Sequence, residues 1–168
     1  LFGPRHGRWL GYDRLEYNAT EVTPSRDVTV VGATLTVHAA HPTDASHDNH
    51  GGAGSVWYAA EVTLADGTVV RTPDHQSIER LGLSRDVQRV SFRAADDYVG
   101  WLGTYFHTTS VFASNGPTDE THQSDRYTGA DCADVLIGAL RASGRREVHY
   151  TSVAGISEYA RAYTGVLR

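Results

Sequence analysis

Apolar and polar residues alternate along much of residues 28–93, and this pattern predicts a small antiparallel β-sheet or sandwich. Two of the expected strands flank an Asp66-Gly67 turn, a dipeptide that often closes β-hairpins. The predicted strands are 28–38, 55–64, 68–71 and 86–93. A short helical turn is expected from Ile78 to Leu83, and a loop rich in His, Asp, Asn and Gly at 39–55.

The apolar period becomes helical at Ala94, which predicts a mostly helical segment over residues 94–168. Asp96 and Asp97 suit the start of the first helix. The predicted elements are a helix from Ala94 to Phe106, a helix from Cys132 to about Ser143 that ends at Gly144, a short strand at 148–151 and a helical piece at 157–163. The expected fold class is therefore α+β, with residues 1–27 as an extended arm or the end of a preceding domain.

The helix that begins at Cys132 carries the only cysteine of the chain. Asp131 suits the N-cap position, and Asp134 completes a weak capping box. A thiol at the first helical position is stabilised as a thiolate by the helix dipole, whereas the two aspartates oppose that charge. The spacing of Cys132, Val135, Leu136, Ala139 and Leu140 also places the cysteine on an apolar stripe, so a buried core cysteine is the alternative.

Composition restricts the function classes. The chain has 168 residues and a formal net charge of −5, which does not favour nucleic-acid binding, and its apolar runs are too short to span a membrane. One cysteine cannot form an internal disulfide framework. The chain contains no methionine, so we expect a processed product or part of a longer polypeptide.

A cluster of imidazoles and carboxylates lies in the 39–55 loop and the strand before it. Its members are His38, His41, Asp44, His47, Asp48 and His50. These side chains suit zinc, copper or nickel, but their spacing matches none of the usual zinc motifs. A solvated polar loop is the simpler interpretation, and we expect no metal and no cofactor.

The segment around Cys132 resembles the NlpC-type papain-like cysteine hydrolases of bacteria. The motifs are Phe112-Ala-Ser-Asn-Gly116, Gln123-Ser-Asp-Arg126, Gly129-Ala-Asp-Cys-Ala-Asp-Val135 and Tyr150-Thr-Ser152, within residues 98–152. The resemblance implies a papain-like fold, an extracytoplasmic or secreted location, and hydrolysis of amide bonds in cell-wall peptides. It places Cys132 as the nucleophile, and we expect Phe112, Ser114, Asp125, Arg126 and Asp131 to bind the peptide.

The chain departs from this family in two ways. Phe112 stands where the family often has a tyrosine, and the family's catalytic histidine lies well beyond the cysteine helix, where this chain ends at Arg168. We therefore expect the papain-like segment to be truncated and the chain alone to be a poor enzyme. His107 and His122 are the histidines that could approach Cys132, and His122 is the freer of the two. His149 would require the chain to fold back along the whole helix.

Two functions remain open from the sequence. The first is a cysteine hydrolase whose base lies outside the present chain. The second is a non-catalytic β-domain that binds carbohydrate or peptide and is carried on a degenerate papain-like scaffold. Aromatic side chains at Trp9, Trp57 and Tyr58 could supply such a binding surface, although core positions are the simpler interpretation.

Overall fold

The computed structural model describes residues 2–9, 15–21, 28–37, 53–79, 82–106 and 108–159. Its largest sheet has four antiparallel strands in the order β10-β5-β1-β2. These strands are β1 (Phe2–Trp9), β2 (Leu15–Glu21), β5 (Gly54–Tyr58) and β10 (Gln88–Phe92). Strand β5 is buried along nearly its whole length, as expected for a strand with neighbours on both sides. Residues from the predicted N-terminal arm thus pair with the β-rich segment.

The described residues also form three separate hairpins, which correct two predictions. They are β3 (Val28–Val31) with β4 (Thr34–Val37), β6 (Glu61–Thr63) with β7 (Val69–Arg71), and β8 (Ile78–Glu79) with β9 (Gly82–Leu83). The single strand predicted at 28–38 is wrong, because Gly32 takes φ +60 and reverses the chain there. The helical turn predicted from Ile78 to Leu83 is also wrong. The Asp66-Gly67 hairpin is confirmed, with Gly67 at φ +84.

The strand predicted at 55–64 is divided in the structure. Its first half, β5, pairs with β10 in the four-stranded sheet, whereas its second half, β6, pairs with β7 in a hairpin. All three residues of β6 are exposed, whereas most of β5 is buried. The alternating pattern detects the extended backbone on both sides of Ala59-Ala60, but it contains no signal for a change of pairing partner.

The helical half contains α1 (Tyr98–Gly103) and α2 (Cys132–Ala142). Helix α1 is shorter than the predicted 94–106 helix because Asp97 caps it, its carboxylate accepting from the Gly100 N–H at 2.8 Å. Helix α2 has the predicted bounds, and Gly144 follows it at φ +109. Residues 148–151 form no strand. A 3-10 turn at Gly155–Glu158 begins the last predicted helical piece, of which residues 160–163 lie outside the described residues.

The apolar stripe predicted for α2 is correct only in part, since Ala139 is buried and Val135 packs against the core. Cys132 and Leu136 are exposed, and the buried face instead includes Ala133, Ile137 and Gly138. Two charged residues, Asp134 and Arg141, lie on this buried face. Hydropathy misplaces the face because these two side chains are buried with hydrogen-bond partners from the preceding loop, which a hydropathy pattern does not detect.

Two apolar clusters hold the described elements together. Trp57, Leu83 and Val87 form one cluster below the four-stranded sheet. The other is centred on residues from the turn after α1 and from α2, and its members are Tyr105, Ala130 and Ala139, with Tyr98, Trp101, Leu102, Tyr127 and Val135 packed against them. The Ser55 hydroxyl donates to the Thr104 carbonyl at 2.9 Å and joins β5 to the end of α1. This mixture of antiparallel sheets and helices is α+β, and no described helix is long and apolar enough to cross a membrane.

Candidate functional site

Cys132 occupies the first residue of α2 and is exposed to solvent. Asp131 fixes the helix start, because its carboxylate accepts from the backbone N–H groups of Ala133 at 2.9 Å and Asp134 at 3.0 Å. The thiol therefore lies at the positive end of the helix dipole and is accessible to a reactant. The alternative that Cys132 is a buried core residue is wrong.

An exposed aromatic residue lies beside the start of α2. Ser110 and Ala130 form a parallel bridge, with the Val111 N–H donating to the Ala130 carbonyl at 3.0 Å. Phe112 and Cys132 each lie two residues beyond this bridge in the same direction. Phe112 is 77% exposed, and the following Ala113 takes φ +54, a left-handed conformation that is unfavourable for alanine. The turn thus exposes an aromatic ring, and the exposed thiol lies equally far along the other chain segment from the same bridge.

Asp134 faces away from Cys132 and is buried beneath the same loop. It accepts a hydrogen bond from the Ser114 hydroxyl, which also lies 3.3 Å from the Ser124 hydroxyl. Burial raises the pKa of Asp134, an effect that the Ser114 hydrogen bond and the nearby His122 partly oppose. Ser114 is buried, so this predicted peptide-binding residue positions the loop on α2 rather than facing solvent.

His122 is held in the interior of the loop. Its ring is stacked on Tyr150, with centroids 3.8 Å apart, and its Nδ1 accepts from the Ser124 N–H at 3.2 Å. Burial lowers the pKa of His122 despite the nearby carboxylates of Asp134 and Asp125, so the ring is neutral at pH 7. His122 is thus buried and stacked, whereas the expectation that it is freer than His107 stays a prediction, because His107 lies outside the described residues.

The other candidate bases do not complete a cysteine–histidine pair in the described residues. His149 is exposed, and its Nδ1 lies 2.6 Å from Asp119 Oδ2. Neither His122 nor His149 hydrogen-bonds to the Cys132 thiol in the part of the chain that the structure describes. His107 lies outside the described residues.

Arg141 connects the far end of α2 to the loop. Its side chain is 2% exposed, and Nη1 donates to the carbonyls of Arg146 at 2.8 Å and Val148 at 2.7 Å. Its Nη2 donates to Asp125 at 3.2 Å, and Tyr150 donates its hydroxyl to the same carboxylate at 2.5 Å. Asp125, a predicted peptide-binding residue, is therefore part of a buried ion-pair network.

Arg126, the next predicted binding residue, lines a cleft of ≈ 600 Å³ that also contains Arg85, Arg89, Glu120 and Asp125. This cleft is not at the thiol. Asp125 bonds to Arg141, which lies nine residues after Cys132, or about 14 Å along the helix axis. Two candidate sites thus exist, one at each end of α2.

The predicted site residues fall into three groups. Cys132, Asp131 and Phe112 lie together at the start of α2, Ser114 is buried behind them, and Asp125 and Arg126 line the cleft. No protein-family model, curated protein or solved structure matches this chain.

Several residues of the site were missed from the sequence. Arg141 lies seven residues after Asp134, hence on the same helix face, and that spacing was a usable signal for a charged buried face. Arg85 and Arg89 are contributed from the β-rich segment, and no local pattern connects them to the loop before α2. The described residues contain no group of three His, Cys, Asp or Glu that could hold a metal ion, and the 38–50 histidine cluster lies outside them.

Proposed function

We propose that this chain is part of a cysteine-dependent hydrolase of amide bonds, with Cys132 as the nucleophile. The observation that carries the proposal is the exposed thiol on the first residue of α2. A structural cysteine would be expected in the core, whereas a nucleophile has to reach a carbonyl carbon. The proposed substrates are peptides of the bacterial cell wall, which would give the protein an extracytoplasmic location.

The loop before α2 supports a role at this position. It bridges to the segment just before Cys132, exposes the Phe112 ring to solvent, and contains Ala113 in a left-handed conformation. Such strain persists where surrounding contacts impose it, and it is concentrated at functional sites. Ser114 and Asp134 provide those contacts beneath the turn. Phe112 would then pack against an apolar part of the peptide.

The proposed base is not one of the described histidines in its present position. A cysteine hydrolase of this type needs an imidazole within about 3 Å of the thiol. His122 is neutral but buried and stacked, and His149 is bonded to Asp119. We therefore propose that the base is a histidine outside the described residues, such as His107, or one that lies outside this chain.

The test is hydrolysis of a cell-wall stem peptide by the longest natural product that contains these residues. The change is Cys132→Ser, which keeps the size and the N-cap of α2. We expect turnover to fall by about two orders of magnitude or more, because a hydroxyl is a far weaker nucleophile than a thiol. The melting temperature should not change, because an exposed thiol contributes little packing.

Activity that survives Cys132→Ser would contradict the proposal. A matched control is Ser143→Ala, since this hydroxyl at the other end of α2 is also exposed and bonds only to the Leu140 carbonyl among the described contacts. Equal turnover by the 168-residue chain and the longer product would place the base inside residues 1–168. His107→Gln, His122→Gln and His149→Gln would then identify it.

A further inference from the structure

The cleft at the far end of α2 has the dimensions of a small-molecule site. Its volume of ≈ 600 Å³ lies between residues of β8 to β10 and the loop before α2. Sites for small ligands usually occupy about 300–1,000 Å³. The two walls of this cleft carry opposite charges.

Arginines dominate the first wall. Arg126 Nη2 donates to the Leu83 carbonyl oxygen at 2.6 Å, and Arg89 Nη2 donates to the same oxygen at 2.9 Å. The two nitrogens are therefore no more than 5.5 Å apart, the sum of 2.6 and 2.9 Å. Two guanidinium groups this close repel each other, and a carboxylate bound between them would relieve the repulsion.

These arginines have few carboxylate partners among the described residues. Glu79 is the carboxylate nearest to Arg126, at 3.7 Å, and it also accepts from the Ser84 hydroxyl. Arg126 Nε is buried and has no hydrogen-bond partner among the described residues. Arg85 adds a third guanidinium to the same wall. One acid against three arginines leaves an excess of positive charge.

The second wall carries excess negative charge. Asp125 and Glu120 line the cleft, and both lie near Arg141, at 3.2 Å and 3.6 Å. Asp119, behind them, is 3.5 Å from the same guanidinium and also contacts His149. Three carboxylates thus share one arginine. Glu120 is 69% exposed, so it can approach a positively charged ligand.

We propose that this cleft binds a short zwitterionic peptide, with its carboxylate against Arg126 and Arg89 and its ammonium against Glu120 and Asp125. A ligand that carries only negative charge would be repelled by the acidic wall, and a ligand that carries only positive charge would be repelled by the arginines. A free dipeptide satisfies both walls, because its two charged ends are separated by a short backbone. The site does not use Cys132, so it stands independently of the hydrolase proposal.

The test is calorimetric binding of the dipeptide Ala-Ala to the 168-residue chain, compared with N-acetyl-Ala-Ala, Ala-Ala amide and inorganic phosphate. We expect Ala-Ala to bind, and each blocked dipeptide to bind at least about tenfold more weakly, because each lacks one charge. Phosphate should compete poorly. Cys132→Ser should bind Ala-Ala like the unmodified chain.

Glu120→Gln gives a matched variant at an exposed position. It should weaken Ala-Ala at least about tenfold and leave N-acetyl-Ala-Ala unaffected, since the acetylated peptide has no ammonium to lose. Arg126→Gln should weaken Ala-Ala and leave Ala-Ala amide unaffected. Arg71→Gln, which removes an exposed arginine paired with Glu61 on the β6–β7 hairpin, is the control and should change nothing.

Three results would overturn the proposal. The first is no binding of Ala-Ala at millimolar concentration, and the second is equal binding of the free and blocked dipeptides. The third is phosphate competing as well as Ala-Ala, which would make the cleft a simple anion site. If Arg126→Gln fails to fold because the bond to Leu83 is lost, Glu120→Gln with the blocked dipeptides still decides the matter.

Discussion

Cys132 and His122 show how a position in the fold assigns a role to a side chain. Both residues have polar neighbours in the sequence. In the structure, the Cys132 thiol is exposed at the start of α2, whereas the His122 imidazole is buried against Tyr150. Exposure makes the thiol available for attack, whereas burial keeps the imidazole neutral. His122, a candidate base from the sequence, therefore packs inside the loop, and the proposed hydrolase needs another base.

The buried state of His122 leads to a pH-dependence that can be measured. Burial lowers its pKa below 6.5, so the unfolded chain takes up this proton at a higher pH than the folded chain. The contribution of His122 to stability therefore falls as the pH decreases through 6.5. Asp134 has the opposite effect. Because burial raises its pKa above 3.8, the folded chain takes up this proton at a higher pH than the unfolded chain, so the contribution of Asp134 to stability rises as the pH decreases.

The measurement is an NMR titration of the His122 ring, together with the free energy of unfolding at pH 7.5 and pH 5.5 for the unmodified chain and for His122→Gln. We expect a titration midpoint below 6.5 and a smaller loss of stability on acidification in His122→Gln. A midpoint above 6.5, with equal losses in both proteins, would show that the carboxylates outweigh burial at this site.

Helix α2 illustrates which features of an element are local. Its start at Asp131 and its end at Gly144 follow from capping residues that act within one turn, so the sequence predicts them correctly. Its buried face depends on Asp134 and Arg141, whose partners come from the loop before it and the segment after it. A hydropathy pattern assigns charged residues to the surface, so the face predicted to be buried differs from the face that is buried in the structure.

Gly138 permits the closest approach on that buried face. A Cβ at this position would overlap with the Tyr105 hydroxyl oxygen and would lie 2.8 Å from Tyr105 Cζ and 3.1 Å from the Tyr150 hydroxyl oxygen. The Tyr105 ring is buried, and its hydroxyl donates to the Ser124 carbonyl at 3.1 Å. The ring therefore has little room to move away.

We expect Gly138→Ala to lower the free energy of unfolding by about 1–2 kcal/mol, because overpacking outweighs the helix propensity that alanine adds. Thermal unfolding should show a decrease of several degrees. Gly103→Ala is the matched control in α1, where a Cβ would meet Ala53 Cβ at an ordinary 3.5 Å. A melting temperature raised by Gly138→Ala would contradict the packing described for this face.

Across the whole molecule, the arrangement of the two candidate sites depends on long-range contacts. Cys132 and the residue that caps its helix, Asp131, lie in one short stretch of the chain, so the sequence alone is enough to single out this thiol. The cleft combines Arg85 and Arg89 from the β-rich segment with Glu120, Asp125 and Arg126 from the loop before α2, and these two sets are separated by more than thirty residues along the chain. The β3–β4 and β8–β9 hairpins were missed for a related reason, since strand pairing depends on register and turns as well as on alternation.

Trp57 shows the same dependence on tertiary structure. Its side chain is 1% exposed and packs with Leu83 and Val87, so it cannot serve as an exposed aromatic surface. Tyr58 is half-buried, and the side chain of Trp9 lies outside the described residues. A carbohydrate- or peptide-binding surface on the β-rich segment therefore cannot include Trp57.

Arg141 joins the end of α2 to the loop before this helix and to the segment after it. Its replacement by methionine keeps the volume but removes the donors to Asp125 and to two carbonyl groups. We expect Arg141→Met to lower the free energy of unfolding by about 3–5 kcal/mol, because buried acceptors and a buried carboxylate lose their partner. Chemical denaturation measures this loss directly.

Arg145→Met is the control for the effect of a positive charge near the end of α2. Arg145 is exposed and bonds to Glu147, so its loss should change stability by no more than about 1 kcal/mol. Equal effects of the two substitutions would mean that the Arg141 network contributes nothing beyond a surface ion pair.

The most direct test of the proposed nucleophile is the rate at which Cys132 is alkylated by a chloromethyl ketone built on a cell-wall stem peptide, compared with chloroacetone, which lacks the peptide. Mass spectrometry gives both rates without requiring a catalytic base for turnover. If the start of α2 is a peptide-binding active site, the peptidyl reagent should react at least about tenfold faster, and free stem peptide should slow it. Equal rates for the two reagents, unaffected by the peptide, would show that Cys132 is only an accessible thiol.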